Sequence, residues 1–108
     1  MNILDFLRQK IKPNYKPYNR IEVSSSILAS NYRKLKELSA KEIIPVLKSN
    51  AYGHGLKLVA KILDDLNIKL VAVDSFPEAQ VVWKYSMAEV LFLSELPEEA
   101  YKYCPENM

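Results

Sequence analysis

The residues best suited to chemistry lie in one stretch, Lys48-Ser49-Asn50-Ala51-Tyr52-Gly53-His54-Gly55. It begins where an apolar run, EIIPVL at residues 42 to 47, stops. A primary amine at the end of such a run, partly shielded from water, is a nucleophile for carbonyl groups. The stretch also holds both glycines of the chain and its one histidine, side by side at Gly53, His54 and Gly55. Placing all the glycine there predicts backbone geometry that other residues resist. A helical pattern follows at once, so the stretch reads as a strand-to-helix turn. In parallel α/β folds ligands bind at such turns, at the carboxyl ends of the strands. The glycines would let the backbone come close to a ligand, and the next helix N-terminus would attract phosphate. It is neither a Walker loop, since no Gly-Lys-Ser/Thr follows the glycines, nor a G-x-G-x-x-G fingerprint.

Plainer readings stand beside these. A lysine taken alone is most often a solvated surface residue, and Tyr52 taken alone is a packing aromatic. His54 has no Cys, Asp or Glu at metal-ligand spacing, which favours a structural hydrogen bond and predicts no metal site. Asp64-Asp65 and Glu98-Glu99 are neighbours on helices, point apart, and read as solvated. Trp83 and Tyr85 read as helix packing, Arg33-Lys34-Lys36 as a solvent face, and Cys104 as an untuned thiol.

The surrounding elements must position the lysine. Residues 2 to 11 form an amphipathic pattern with Ile3, Leu4, Leu7 and Ile11 on one stripe, and KPNYKPYN breaks it. Arg20 to Val23 is a strand candidate. Ser24 to Ser26 offer N-caps for a helix to about Leu38, with Leu28, Tyr32, Leu35 and Leu38 as its buried stripe. The run 42 to 47 has the β-branching of a buried strand, with Pro45 marking an edge or a bulge. After Gly55 comes a helix with Leu56, Val59, Leu63 and Leu66 on one face and Asn67 as a left-handed stop. LVAV at 70 to 73 is a strand. Ser75 to Glu78 is a capping box with proline in the first turn, opening a helix to about Met87. VLFL at 90 to 93 is a strand, and Pro97 starts a last short helix. Strands alternating with helices at this spacing are βαβ units, which implies a parallel sheet in an α/β fold.

Composition narrows the class. The chain has 108 residues, 49% of them apolar and 26% charged, the balance of a globular protein. Fifteen Lys and Arg against 13 Asp and Glu leave +2, which gives no electrostatic case for nucleic acid or an anionic membrane. No apolar run reaches bilayer length, and the N-terminus lacks the continuous apolar core of a secretion signal. A single cysteine fits a reducing compartment, so the reading is cytoplasmic.

The string itself says more. PVLKSNAYGHG followed by a helix resembles the cofactor-lysine motif of the alanine racemases, pyridoxal-phosphate enzymes whose usual form is K-A-N-A-Y-G-H-G; only Ser49 departs. IEVSSSILASNY is similar to the family's opening strand and helix, and VAVDSFPEA to its second barrel strand with the start of the next helix. VLFLS resembles the third strand, with Ser94 where the family more often has glycine. The resemblance covers roughly residues 20 to 94. It implies the N-terminal part of a (β/α)₈ TIM-like barrel, about three parallel strands of an incomplete barrel, with residues 1 to 19 as an extension and 20 to 108 as the barrel portion. It also implies an isomerase that interconverts L- and D-alanine, supplying D-alanine for peptidoglycan, and a homodimer for the full-length family.

Carried over residue by residue, the resemblance makes Lys48 the lysine that holds pyridoxal 5'-phosphate as a Schiff base and later moves the α-proton on one face. It makes Tyr52 a donor to the cofactor phosphate and Val46 a neighbour of the pyridine ring. The opposite-face tyrosine, which the family takes from the partner subunit's C-terminal domain, lies beyond the stretch that matches. So do the arginine at the pyridine nitrogen and the later phosphate loops. A 108-residue piece of this kind is expected to be inactive alone. The alternative is a non-catalytic pyridoxal-phosphate-binding barrel of the cofactor-homeostasis type, whose lysine segment does not usually read N-A-Y-G-H-G.

Overall fold

Two short strands, β1 (Leu70–Val73) and β2 (Glu89–Phe92), lie parallel in the computed structural model, with Leu70 opposite Glu89 and Val73 opposite Phe92. Residues 2–10 and 19–106 are described. The strands are those predicted, the second shifted by one residue at both ends, from 90–93 to Glu89–Phe92. A third member pairs through one position, Val46 against Ala72, with Leu47 donating to the Ala72 carbonyl and Ala72 to the Pro45 carbonyl, both at 2.8 Å. The order is therefore Val46, β1, β2, all parallel. The strand predicted over 42 to 47 contracts to this single bridge. Pro45 lies at the edge, as its missing N–H requires, and offers its carbonyl alone to the ladder.

Each helix starts and stops for a local reason. In α1 (Ile3–Lys10) the Asn2 carboxamide oxygen accepts from the Asp5 N–H at 2.8 Å. Helix α2 (Ser25–Ser39) is capped by the Ser24 hydroxyl, which accepts from the Ile27 N–H, and ends at Ala40, whose φ is 53°. One turn, α3 (Lys48–Tyr52), precedes α4 (Leu56–Asp65), and Asn67 at φ 57° is the left-handed stop after it. Helix α5 (Phe76–Tyr85) opens with the predicted Ser75–Glu78 capping box and ends at Tyr85, short of the predicted Met87. The last predicted helix is a 3-10 segment, Glu98–Tyr103. The linker predicted over residues 12 to 19 lies, apart from Asn19, outside the described residues, as does Ile11 of the first stripe.

The core lies on one face of the sheet. Val71, Val73, Val90 and the half-buried Phe92 share a cluster with Val59 and Leu63 of α4 and Ala79 and Val82 of α5. Val71, Val73 and Val82 are almost wholly buried, each contributing about 1.5–3 kcal/mol. Trp83 meets Phe76 and Phe92 edge-on at 5.8 and 6.3 Å between ring centres, a packing role as predicted. Because side chains alternate along a strand, the opposite face carries Leu91 and Leu93, and with Ile44 and Val46 these are exposed.

Two expectations are corrected. Arg20 to Val23 forms no strand: no ladder bond joins it to any described residue, and Ile21 is exposed. A segment this short is held as a strand only by a paired neighbour, and none of the described residues supplies one. The α2 stripe is buried only in its first half. Leu28 and Tyr32 pack on the core, while Leu35 is exposed and Leu38 is 84% exposed. The helix outruns the layer beneath it. Among the described residues no helix is long and apolar enough to cross a membrane.

Candidate functional site

Register decides what Lys48 faces. Val46 pairs with Ala72, so two residues on, at the period of the pleat, Lys48 and Asp74 stand side by side past their strand ends. The Lys48 Nζ is 3.7 Å from Asp74 Oδ2. The Leu93 N–H donates to the Val73 carbonyl at 2.8 Å, carrying the ladder to Ser94, whose hydroxyl donates to Asp74 Oδ1 at 3.1 Å. Lysine, aspartate and serine from three successive strand ends thus form one line. With both charged groups a little over one-third exposed, the pair is worth only about 0.2–1 kcal/mol. What it fixes is direction.

The turn that carries Lys48 is left-handed. Ser49, Asn50, Ala51 and Tyr52 all have φ between 54° and 56°. Such geometry costs non-glycine residues roughly 1–2 kcal/mol each, so the turn persists only because its surroundings impose it. The Ala51 N–H donates to the Leu47 carbonyl and the Gly53 N–H to Ser49, a helical pattern in the mirror hand. Ala51 is buried in the core. Asn50, a residue that tolerates this region, uses both of its oxygens here: its carbonyl accepts from the Gly55 N–H at 3.0 Å and its side-chain oxygen from the Leu56 N–H at 2.8 Å. Gly53 and Gly55 follow at φ 87° and 99°, the unusual geometry predicted for them. A Cβ on Gly53 would touch nothing within 4 Å, so the requirement there is conformational.

Glu78 clamps the turn from outside. Its Oε1 accepts from the Asp74 N–H, the Ser75 N–H and the Ser75 hydroxyl at 2.9–3.0 Å. Its Oε2 accepts from the Ser49 N–H at 2.8 Å. One carboxylate therefore closes the α5 capping box and holds the residue next to Lys48. His54 takes the structural role its isolation predicts, its N–H and its Nδ1 both directed at the Ala51 carbonyl. The first N–H of α4 is taken by the Asn50 side chain.

Of the three residues carried over from the motif, Lys48 and Val46 stand on the same uncovered side of the sheet. Tyr52 follows one turn later with its side chain exposed. Val46 and Tyr52 both border an apolar cavity of about 310 Å³ between α2 and the Pro45–Val46 edge. Asp74, Ser94, Asn50 and the second bond of Glu78 escape a reading by motif. Strand register would have found Asp74; the others depend on turn geometry that no local pattern announces. Among the described residues no group of three metal-ligand side chains occurs.

Parallel strands with helices on one face and an open inner face define a portion of a β/α barrel, and Lys48 stands at the carboxyl end of its strand, the end at which such barrels bind ligands. Residues 23–107 match the family model for the alanine racemase N-terminal domain. The chain belongs to that family. The alanine racemase of Fusobacterium nucleatum is 45% identical over 60 residues, 55% of this chain and 17% of that protein. A lysine racemase of Proteus mirabilis is 41% identical over 64 residues, 57% of this chain and 16% of its own length. The crystal structure of alanine racemase from Oenococcus oeni superposes with a TM-score of 0.64 at 34% identity, covering 71% of this chain and 22% of that one. The fold is accordingly the N-terminal part of a TIM-like barrel. The chain spans less than one-fifth of the curated relatives it matches.

Proposed function

We propose that this chain is the lysine-bearing portion of a pyridoxal-phosphate-dependent amino-acid racemase, with alanine as substrate. The observation that supports this most is Lys48 itself: a primary amine on an open strand end, inside a strained turn, in a chain of the racemase family. The residues fit the aldehyde end of the cofactor, since among the described residues Lys48 Nζ has only the exposed contact to Asp74 to surrender. Tyr52, one turn on, offers a hydroxyl to the phosphate, and Val46 an apolar wall on the face of the lysine.

When bound, pyridoxal phosphate supplies an electron sink for negative charge at the substrate α-carbon. The chain's own contribution is to hold Lys48 where its amine takes or returns the α-proton from one face. The strained turn fixes the start of that side chain, and Glu78 and Asn50 keep the turn from relaxing to the right-handed form. Inversion needs a second acid/base on the other face, which we assign to other parts of the whole enzyme, a cytoplasmic homodimer supplying D-alanine for the cell wall.

The test is to mix the chain with pyridoxal phosphate, reduce with borohydride, and map the modified peptides. Label concentrated on Lys48 is the expected result. Label spread evenly over the surface lysines would remove the proposal.

A further inference from the structure

Glu78 and Asp74 are the two carboxylates beside the Lys48 turn, and they are used differently. Both oxygens of Glu78 are committed to N–H and O–H donors. Asp74 divides its oxygens: Oδ1 accepts from the Ser94 hydroxyl, and Oδ2 is left facing Lys48 Nζ at 3.7 Å. The Asp74 backbone is pinned by its own N–H to Glu78, so the carboxylate is oriented at both ends. Asp74 is half-buried and Ser94 exposed, and neither belongs to the core cluster.

We infer that Asp74, oriented by Ser94, is a positioning residue that holds the Lys48 ammonium along the strand ends and so restrains its reaction with carbonyl compounds. The inference rests on the reading of Lys48 as the reactive lysine and adds what governs that reactivity. For an amine to condense with an aldehyde, the ammonium proton must pass to solvent. The nitrogen lone pair then bonds to the carbonyl carbon, and the oxygen leaves as water. While the ion pair stands, Nζ is turned toward Asp74 and its lone pair is not free. The pair must be given up first. An exposed pair is worth a factor of about two to five in such an equilibrium, and it weakens with salt.

The experiment uses formaldehyde and cyanoborohydride on the full chain and compares, by peptide mapping, the methylation rate of Lys48 with those of the other lysines. In the unaltered chain, Lys48 should gain about two- to five-fold relative to the others when ionic strength rises from about 0.01 M to 1 M, over which the screening length falls from ~30 Å to ~3 Å. Asp74→Asn should raise the Lys48 rate by a similar factor at low salt and abolish the salt response. Asp74→Glu should restore the response. Ser94→Ala should lie between, because the carboxylate remains but is free to turn away. If Asp74→Asn raises every lysine together, the chain has opened, and the decision passes to Ser94→Ala and the salt series on the unaltered chain. A Lys48 rate that ignores salt and both substitutions overturns the inference. Failure to fix pyridoxal phosphate on Lys48 is a separate result and speaks to the reading beneath it.

Discussion

The Glu78 carboxylate reaches 29 positions back along the chain to accept the Ser49 N–H at 2.8 Å, while its other oxygen closes the cap of α5. The start of one helix and the left-handed turn beside Lys48 therefore share a single side chain. Glu78→Gln keeps one acceptor oxygen but must set an NH₂ group against one of the N–H donors. The loss should be about 1–3 kcal/mol, the range for a charge-assisted bond and an unsatisfied partner. Urea unfolding measures it. Amide exchange tells where: the Ser49 N–H should exchange faster while Val71 and Val73 stay protected.

Asn50 is expected to show a graded series. It fills a left-handed position at φ 56° and caps α4 through Leu56. Asn50→Ala loses the cap, about 1 kcal/mol, and places a Cβ residue with no local polar compensation where left-handed geometry costs roughly 1–2 kcal/mol. Asn50→Gly loses the cap interaction but not the conformational tolerance. The order of thermal stability should run Asn, then Gly, then Ala. Equal stability of the Gly and Ala variants would show that the turn relaxes to another conformation.

Tyr52→Phe should weaken retention of pyridoxal phosphate by about 1–3 kcal/mol while leaving the unfolding transition in place, since it removes one donor to a charged group and no packing. The side chain is 59% exposed, so its hydroxyl has little structural work to do. Fluorescence titration of the cofactor against both chains measures the difference. Unchanged affinity in a chain carrying the whole barrel would reduce Tyr52 to a surface aromatic.

Much of this was legible in the residues. Ser75, Pro77 and Glu78 announce the start of α5, Asn67 the end of α4, and Gly53 and Gly55 the bend between strand and helix, because each effect is local. The string around Lys48 pointed to the family that the comparison then showed. The left-handed hand of Ser49 to Tyr52 was not legible, since Ser, Ala and Tyr all disfavour it and the clamp by Glu78, the bonds of Asn50 and the burial of Ala51 impose it. Asp74 lay hidden for a related reason: its meeting with Lys48 depends on the register between Val46 and Ala72, a long-range pairing. Arg20 to Val23 read as a strand and Leu38 as buried because their patterns assume neighbours to cover them.

That uncovered surface yields the last prediction. Ile44, Val46, Leu91 and Leu93 lie together on the face of the sheet away from the helices, all exposed, and the outer edge of β2 is unpaired among the described residues. A contiguous apolar face beside an open strand edge drives association, by burial of the face and by pairing of the edge. The 108-residue chain alone should therefore grow in mass with concentration in sedimentation experiments. It should convert D-alanine to L-alanine no faster than free pyridoxal phosphate, because a single base on one face cannot deliver a proton to the other. Leu91→Lys with Leu93→Lys should shift the chain toward monomer at little cost in stability, since both side chains point away from the core. Val90→Lys is the contrast: the neighbouring side chain faces α4 and α5 within the buried cluster, and an unpaired ammonium there should unfold the chain. A concentration-independent monomer in the unaltered chain would show that this face is satisfied in some other way, and racemase turnover by that monomer would place both acid/base groups within these 108 residues.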